Sequence, residues 1–173
     1  MESRIYLIGY MGCGKSTVGK LVAEKIGYTF IDLDGFIEEK YHKKVAEIFE
    51  EMGQDKFREI ERAALTEVST FEKVIIATGG GAPCFFDNMK LMSHTGLSIY
   101  IYMSLSDLTI RLENSRPGKR PLIDGKKGDE LRSFIESGLA TREPFYTQAT
   151  LTVEGPEDEI VEIVYEAIVN KKQ

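Results

Sequence analysis

No run of apolar residues in the 173-residue chain approaches the ~20 that a membrane helix needs. Cysteine is scarce: Cys13 and Cys84 are too few for a disulfide framework and suit a reducing compartment. The two histidines, His42 and His94, form no zinc-type spacing with them, so surface or helix-end places are expected for both. Base is outnumbered, 22 Lys and Arg against 28 acids, giving a net charge of −6. Whole-surface binding to nucleic acid or to an anionic membrane is therefore a poor reading, and any local cluster of base becomes informative. At 42% hydrophobic and 29% charged, the composition excludes disorder and coiled coil. Repeats, linkers and low-complexity tracts are missing too. Met1-Glu2-Ser3-Arg4 leads into a short apolar run broken at once by glycines, unlike a secretory signal. The expectation is a cytoplasmic protein with its natural N-terminus, one domain over residues 1–173, monomeric by default, with no nucleic-acid partner and no membrane contact.

What is present alternates. Five short β-rich runs, 5–8, 28–33, 74–77, 97–103 and 149–153, are largely continuous in apolar residues, as strands covered on both faces are. Helical patterns lie between them. Residues 15–26 carry Val18, Leu21, Val22 and Ile26 on one stripe, and 57–68 carry Phe57, Ile60, Ala64, Leu65 and Val68 near a 3.6-residue period. A last helix has Pro156 at its first turn, then Glu157, Asp158 and Glu159, where negative charge suits the dipole. Strand and helix in alternation give an α/β fold, a parallel sheet sandwiched between helices.

Residues 9–16, Gly-Tyr-Met-Gly-Cys-Gly-Lys-Ser, match G-x-x-x-x-G-K-[ST] at every fixed position, after a predicted strand and opening a predicted helix. Glycines let the backbone wrap a phosphate with its N–H groups inward, and the helix terminus adds partial positive charge. Lys15 is placed to reach the terminal phosphates, and the Ser16 hydroxyl to ligate Mg²⁺. A ligand-free glycine turn is the bland alternative, and the full motif in its proper context outweighs it. Cys13 has an activated thiol as one reading, but a small side chain tolerated in a backbone-driven loop is the better one.

Other residues gain meaning from that loop. Asp32 and Asp34 end the second strand, where open α/β sheets place ligands; one can support Mg²⁺ and the other accept a hydroxyl proton. The alternative is a solvated cap, with Asp34 starting a helix over 35–41. Arg58 and Glu61 are neighbours on a helix face, so the acid can orient the guanidinium for a carboxylate; alone, the pair would read as a surface ion pair. Gly79, Gly80 and Gly81 expose backbone amides at a strand's end, or form only a flexible turn. Residues 111–128 hold six bases (Arg111, Arg116, Lys119, Arg120, Lys126 and Lys127) against Glu113 and Asp124, and are rich in Pro and Gly. They read as a lid poor in regular structure that brings cations to the transferring phosphate. Arg142 precedes Pro144 and reads as ending a helix, where it caps carbonyls.

Taken in order, these residues resemble the shikimate kinase family: the loop at 9–16, Asp-x-Asp at 32–34, Phe-Arg-x-x-Glu at 57–61, the glycines at 79–81, Arg-Pro-Leu at 120–122, and Arg142 before Pro-x-Tyr. The resemblance implies a nucleoside-monophosphate-kinase-like P-loop fold with a five-stranded parallel sheet in the order 2-3-1-4-5. It implies transfer of the ATP γ-phosphate to the 3-hydroxyl of shikimate, on the route to chorismate and the aromatic amino acids. By it, Gly12, Cys13, Gly14, Lys15, Ser16 and Thr17 bind ATP, Ser16 ligates Mg²⁺, and Asp32 supports the metal through water. Asp34 binds the acceptor hydroxyls and is the candidate base; Arg58, Gly80 and Arg142 hold shikimate, and Arg120 contacts the phosphates. Lys15, Asp34 and Arg120 form the catalytic set. No arginine adjoins Pro156 in sequence, where some members contact adenine, so Arg116 is the candidate there. Another small-acceptor P-loop kinase, for gluconate or a nucleotide, is the nearest rival. A GTPase switch lacks its Asn-Lys-x-Asp, and a degenerate binder would be expected to have lost Lys15, Ser16 or Asp34.

Overall fold

The computed structural model describes residues 2–115 and 121–170. Five strands, β1 (Arg4–Ile8), β2 (Thr29–Asp32), β3 (Val74–Ala77), β4 (Leu97–Ile101) and β5 (Leu151–Val153), make one all-parallel sheet in the order β2-β3-β1-β4-β5. That is the order the resemblance implied. Parallel strands need crossovers, and the helices supply them: α1 (Lys15–Ile26), α2 (Leu33–Tyr41), α3 (Val45–Val68), α4 (Asn88–Thr95), α5 (Leu105–Glu113), α6 (Gly128–Tyr146) and α7 (Glu157–Val169).

Central β1 explains the continuous apolar runs. Ile5, Tyr6, Leu7 and Ile8 are fully buried, and β3 and β4 beside them are buried along their whole length. Burying each large side chain contributes about 1.5–3 kcal/mol, and Leu7→Ala would cost about 2–5 kcal/mol by leaving a cavity. Because every strand runs the same way, the loops after β1, β2 and β3 open on one edge. The order reverses beside β1, with β2 and β3 to one side and β4 and β5 to the other. A crevice opens at such a switch point.

Several boundaries differ from the sequence reading. The strands expected at 28–33, 97–103 and 149–153 are shorter, because Leu33 already starts α2 and the chain leaves the sheet after Ile101 and before Leu151. The helix expected at 57–68 begins at Val45 and kinks at Gly53, whose φ of 80° breaks the helical path. Asp34 does not start α2. Asp32 caps it, its Oδ1 accepting from the Gly35 amide at 3.2 Å, which leaves the Asp34 carboxyl free for the site. Leu21, assigned to the buried stripe of α1, is 44% exposed. Pro156 is the N-cap of α7 rather than part of its first turn.

Arg142 does not end a helix. α6 continues through Pro144 to Tyr146, and the Thr147 amide closes it on the Glu143 carbonyl at 2.9 Å. A proline so near the C-terminus removes one intrahelical bond without ending the helix. The segment 111–128 is more regular at its ends than expected: Arg111 belongs to α5, residues 121–123 form a short 3₁₀ turn, and Gly128 opens α6. Arg116, Pro117, Gly118, Lys119 and Arg120 lie outside the described residues. His42 caps α2 at φ 52°, and the His94 ring meets the Lys90 carbonyl in the last turn of α4, the helix-end places expected of them.

Candidate active site

The loop after β1 is shaped by its glycines. Gly12 and Gly14 hold φ values of 85° and 100°, a region a side chain would resist. Gly14 is the N-cap of α1 with no side chain to satisfy the first-turn amides, and no acid occupies that turn. The N–H groups of Lys15, Ser16 and Thr17 therefore remain for an anion. Lys15 Nζ donates to the carbonyls of Gly9 (2.7 Å) and Tyr10 (3.0 Å), and no carboxylate pairs with it among the described residues. Cys13 is buried, 2% exposed, so its side chain packs as the bland reading expected.

Ser16 Oγ donates to Asp32 Oδ2 at 2.9 Å. A hydroxyl and a carboxylate side by side at the phosphate loop are hard oxygen donors, the set Mg²⁺ prefers. The residues present therefore fit that ion.

A cavity of about 730 Å³ lies on the far side of the loop, lined by Cys13, Tyr102, Ser104, Arg111, Pro156 and Glu157 among others. Arg111 Nη1 donates to the Gly12 carbonyl at 3.2 Å, and Nη2 approaches Glu157 Oε2 at 3.5 Å. An arginine thus does stand with Pro156, brought from α5 rather than from nearby sequence. Arg116, the sequence candidate, lies outside the described residues.

A second cavity of about 730 Å³ opens where the loops after β2 and β3 meet α3 and α6. Lys15, Asp34, Arg58, Glu61, Gly80 and Arg142 line it together, although 127 positions separate the first from the last. Arg58 Nη1 donates to Glu61 Oε2 at 2.7 Å, with the two side chains 13% and 1% exposed. This pair is buried rather than on the surface. The Arg58 guanidinium lies 4.2 Å from the Phe85 ring centroid, and its Nε is buried with no partner among the described residues. Gly81 leaves room for the guanidinium: a Cβ on it would stand 2.5 Å from Arg58 Nη2, so a side chain there would shift the end of the arginine. From the other wall, Arg142 leans on the Tyr10 ring at 5.2 Å. Among the described residues, no acid lies within ion-pair distance of it.

Two carboxyls sit amid these cations. Burial, reinforced by the charge of Asp32, pushes Asp34 up to about 6 despite Lys15. Burial pushes Glu61 up to about 7, outweighing the charge and hydrogen bond of Arg58. A carboxyl raised towards neutrality next to a phosphate loop is poised to exchange a proton with an acceptor hydroxyl.

A shikimate kinase family model matches residues 11–172. The chain belongs to the shikimate kinase family. The shikimate kinase of Parabacteroides distasonis is 53% identical over 149 residues, 86% of either chain. The crystal structure of shikimate kinase from Bacteroides thetaiotaomicron superposes with a TM-score of 0.92 at 44% identity, over 97% of this chain and 99% of that one. Shikimate kinase from Acinetobacter baumannii in complex with shikimate gives 0.87 at 30% identity, over 99% and 96%.

The structure brings Gly12, Cys13, Gly14, Lys15, Ser16 and Thr17 to one loop, with Asp32 against Ser16. It gathers Asp34, Arg58, Gly80 and Arg142 around one cavity. Arg120 falls outside the described residues. Sequence reasoning missed Arg111 as a lining residue of the first cavity. Its one signal was a place at the end of the helix 105–113, but grouping it with the bases from 116 to 127 masked it.

Proposed function

We propose that the chain transfers the γ-phosphate of ATP to the 3-hydroxyl of shikimate, giving shikimate 3-phosphate and ADP on the route to chorismate and the aromatic amino acids. One observation carries this reading: Asp34 shares a cavity with the phosphate-loop lysine and with two arginines from separate helices. The ATP phosphates lie in the loop of residues 12–17, and Lys15 turns from its backbone carbonyls to them. Ser16, and Asp32 through water, would hold Mg²⁺, which would supply charge neutralisation on the phosphates. The acceptor's carboxylate lies between Arg58 and Arg142 with the Gly80 amide, where the buried Arg58 Nε, without a partner among the described residues, favours an oxygen ligand. Asp34 accepts the hydroxyl proton as that oxygen forms its bond to the γ-phosphorus, and ADP departs with the electron pair of the broken bond.

The reading treats residues 1–173 as one kinase domain acting as a monomer in the cytoplasm, with no nucleic-acid or membrane partner. Residues 111–128 act as a lid whose Arg120 contacts the phosphates. The exposed Leu122 already lines the acceptor cavity, which favours closure onto it. Described helices include none long and apolar enough to cross a membrane. The test is ATP consumption over a panel of hydroxy acids including shikimate, quinate and gluconate. Turnover with shikimate alone is expected, and preferred turnover of gluconate would overturn the assignment.

A further inference from the structure

The aromatic end of α6 has no part in the chemistry above. Tyr146 is completely buried, its ring 5.2 Å from that of Tyr100. A phenol so placed needs a hydrogen-bond partner, and its hydroxyl donates to the Gly80 carbonyl at 2.5 Å. One helical turn back lies Arg142, whose charge acts on the same hydroxyl: burial pushes the phenol pKa up and Arg142 opposes it. A Cβ on Gly80 would stand 3.5 Å from Arg142 Nη1, so the arginine and the glycine are near neighbours. One hydroxyl therefore sits at the junction of two acceptor-binding elements that come from opposite halves of the chain.

The peptide geometry shows what this junction does. The Gly79 carbonyl accepts from the Ala82 amide at 3.1 Å, and the Gly80 carbonyl from Tyr146. In a trans peptide the N–H points opposite to the C=O, and no peptide here is cis. Fixing these two carbonyls fixes the directions of the Gly80 and Gly81 amides. Neither amide has a protein acceptor among the described residues. Three successive glycines have too much backbone freedom to keep such an arrangement unaided.

We infer that Tyr146 is a positioning residue of the acceptor site, its hydroxyl holding the glycine amides and Arg142 in one arrangement that receives the acceptor carboxylate. The inference rests on the function proposed above. Tyr146 touches no reacting atom. It acts through Gly80 and Arg142.

Tyr146→Phe removes one oxygen and keeps the ring packing. Loss of this hydrogen bond should raise KM for shikimate about 5- to 30-fold, leaving kcat and KM for ATP within about two-fold. In an Arg142→Ala background the same change should cost much less, because the two groups act as a unit. In the wild-type protein, whose folding is not at issue, the amide resonances of Gly80 and Gly81 should shift on titration with shikimate. Unchanged KM for shikimate in Tyr146→Phe would overturn the inference. So would losses that simply multiply with Arg142→Ala, KM values for both substrates rising alongside a fallen Tm, or glycine amides that ignore shikimate. A wild-type protein that binds and phosphorylates no shikimate would instead remove the functional reading beneath it.

Discussion

The phosphate loop and the acceptor cavity it borders are made of different material. The nucleotide side is backbone: consecutive residues whose glycines turn amides inward, with α1 adding the field of its first turn. The acceptor side is side chain: Asp34 from α2, Arg58 and Glu61 from α3, Arg142 from α6, and glycines kept small so that the guanidinium fits. Backbone receptors bind a group that many proteins share, and any loop of the right shape supplies one. Side-chain receptors bind a particular acceptor and depend on tertiary packing and on buried charge. General chemistry therefore lives on the first side, while specificity lives on the second.

The sharpest break should come where the two sides meet. Asp34→Asn keeps the shape and removes the basicity, so turnover should fall about 10²- to 10⁴-fold with ATP affinity nearly unchanged. Asp32→Asn should instead raise the Mg²⁺ concentration needed for half-maximal rate, since Asp32 stands against Ser16. Titrating Mg²⁺ against turnover in both variants checks this, and rescue of Asp34→Asn alone would reverse the roles.

Lys15→Ala probes the nucleotide side by itself. Loss of a charge directed at the transferring phosphate should lower kcat about 10²- to 10³-fold. Lys15 is bonded only to its own loop, so circular dichroism and Tm should stay close to wild type. A folded variant with near-normal turnover would end the phosphate-loop assignment.

On the acceptor side, Arg58→Ala and Arg142→Ala should each weaken shikimate binding by about 1.5–3 kcal/mol, read by calorimetry with a non-hydrolysable nucleotide present. Nucleotide affinity should not move. If it falls as far as acceptor affinity, the two sides are not separable in the way described.

The smallest effect is one of pH on stability. Asp34 and Glu61 are raised from 3.8 and 4.5 to about 6 and about 7. In the window between, the folded protein holds protons that the unfolded chain has released, so this contribution is full below pH 4 and lost as pH rises through 7. Urea midpoints should fall across that window, and the fall should be flattened in Glu61→Gln. A midpoint that climbs from pH 5 to 7.5 in the wild type relative to Glu61→Gln would contradict the burial of Glu61.

The same contrast decided what the sequence revealed. The nucleotide loop was legible because all its parts are contiguous and each has a local reason to be there. Asp34 and Arg58 were legible as candidates once the loop was recognised, whereas strand order and an acceptor role for Arg142 became legible only through the ordered family pattern. Composition and periodicity gave no distance between residues 58 and 142. Arg111 was misread because it was grouped with the bases at 116–127, whereas its neighbours in space are Gly12, Pro156 and Glu157. Arg142 was misread because Pro144 looked like a stop, when a proline one turn from a helix end is tolerated. The first half of α3 went unnoticed because Gly53 interrupts its period.

The 2.5 Å between a Cβ on Gly81 and the Arg58 guanidinium also bears on how this enzyme can diverge. Even the smallest substitution at 81 must displace the arginine, and with it the contacts to Glu61 and Phe85. Positions 58 and 81 are therefore coupled, and a descendant that has lost the arginine is where a side chain at 81 should be accommodated with least adjustment.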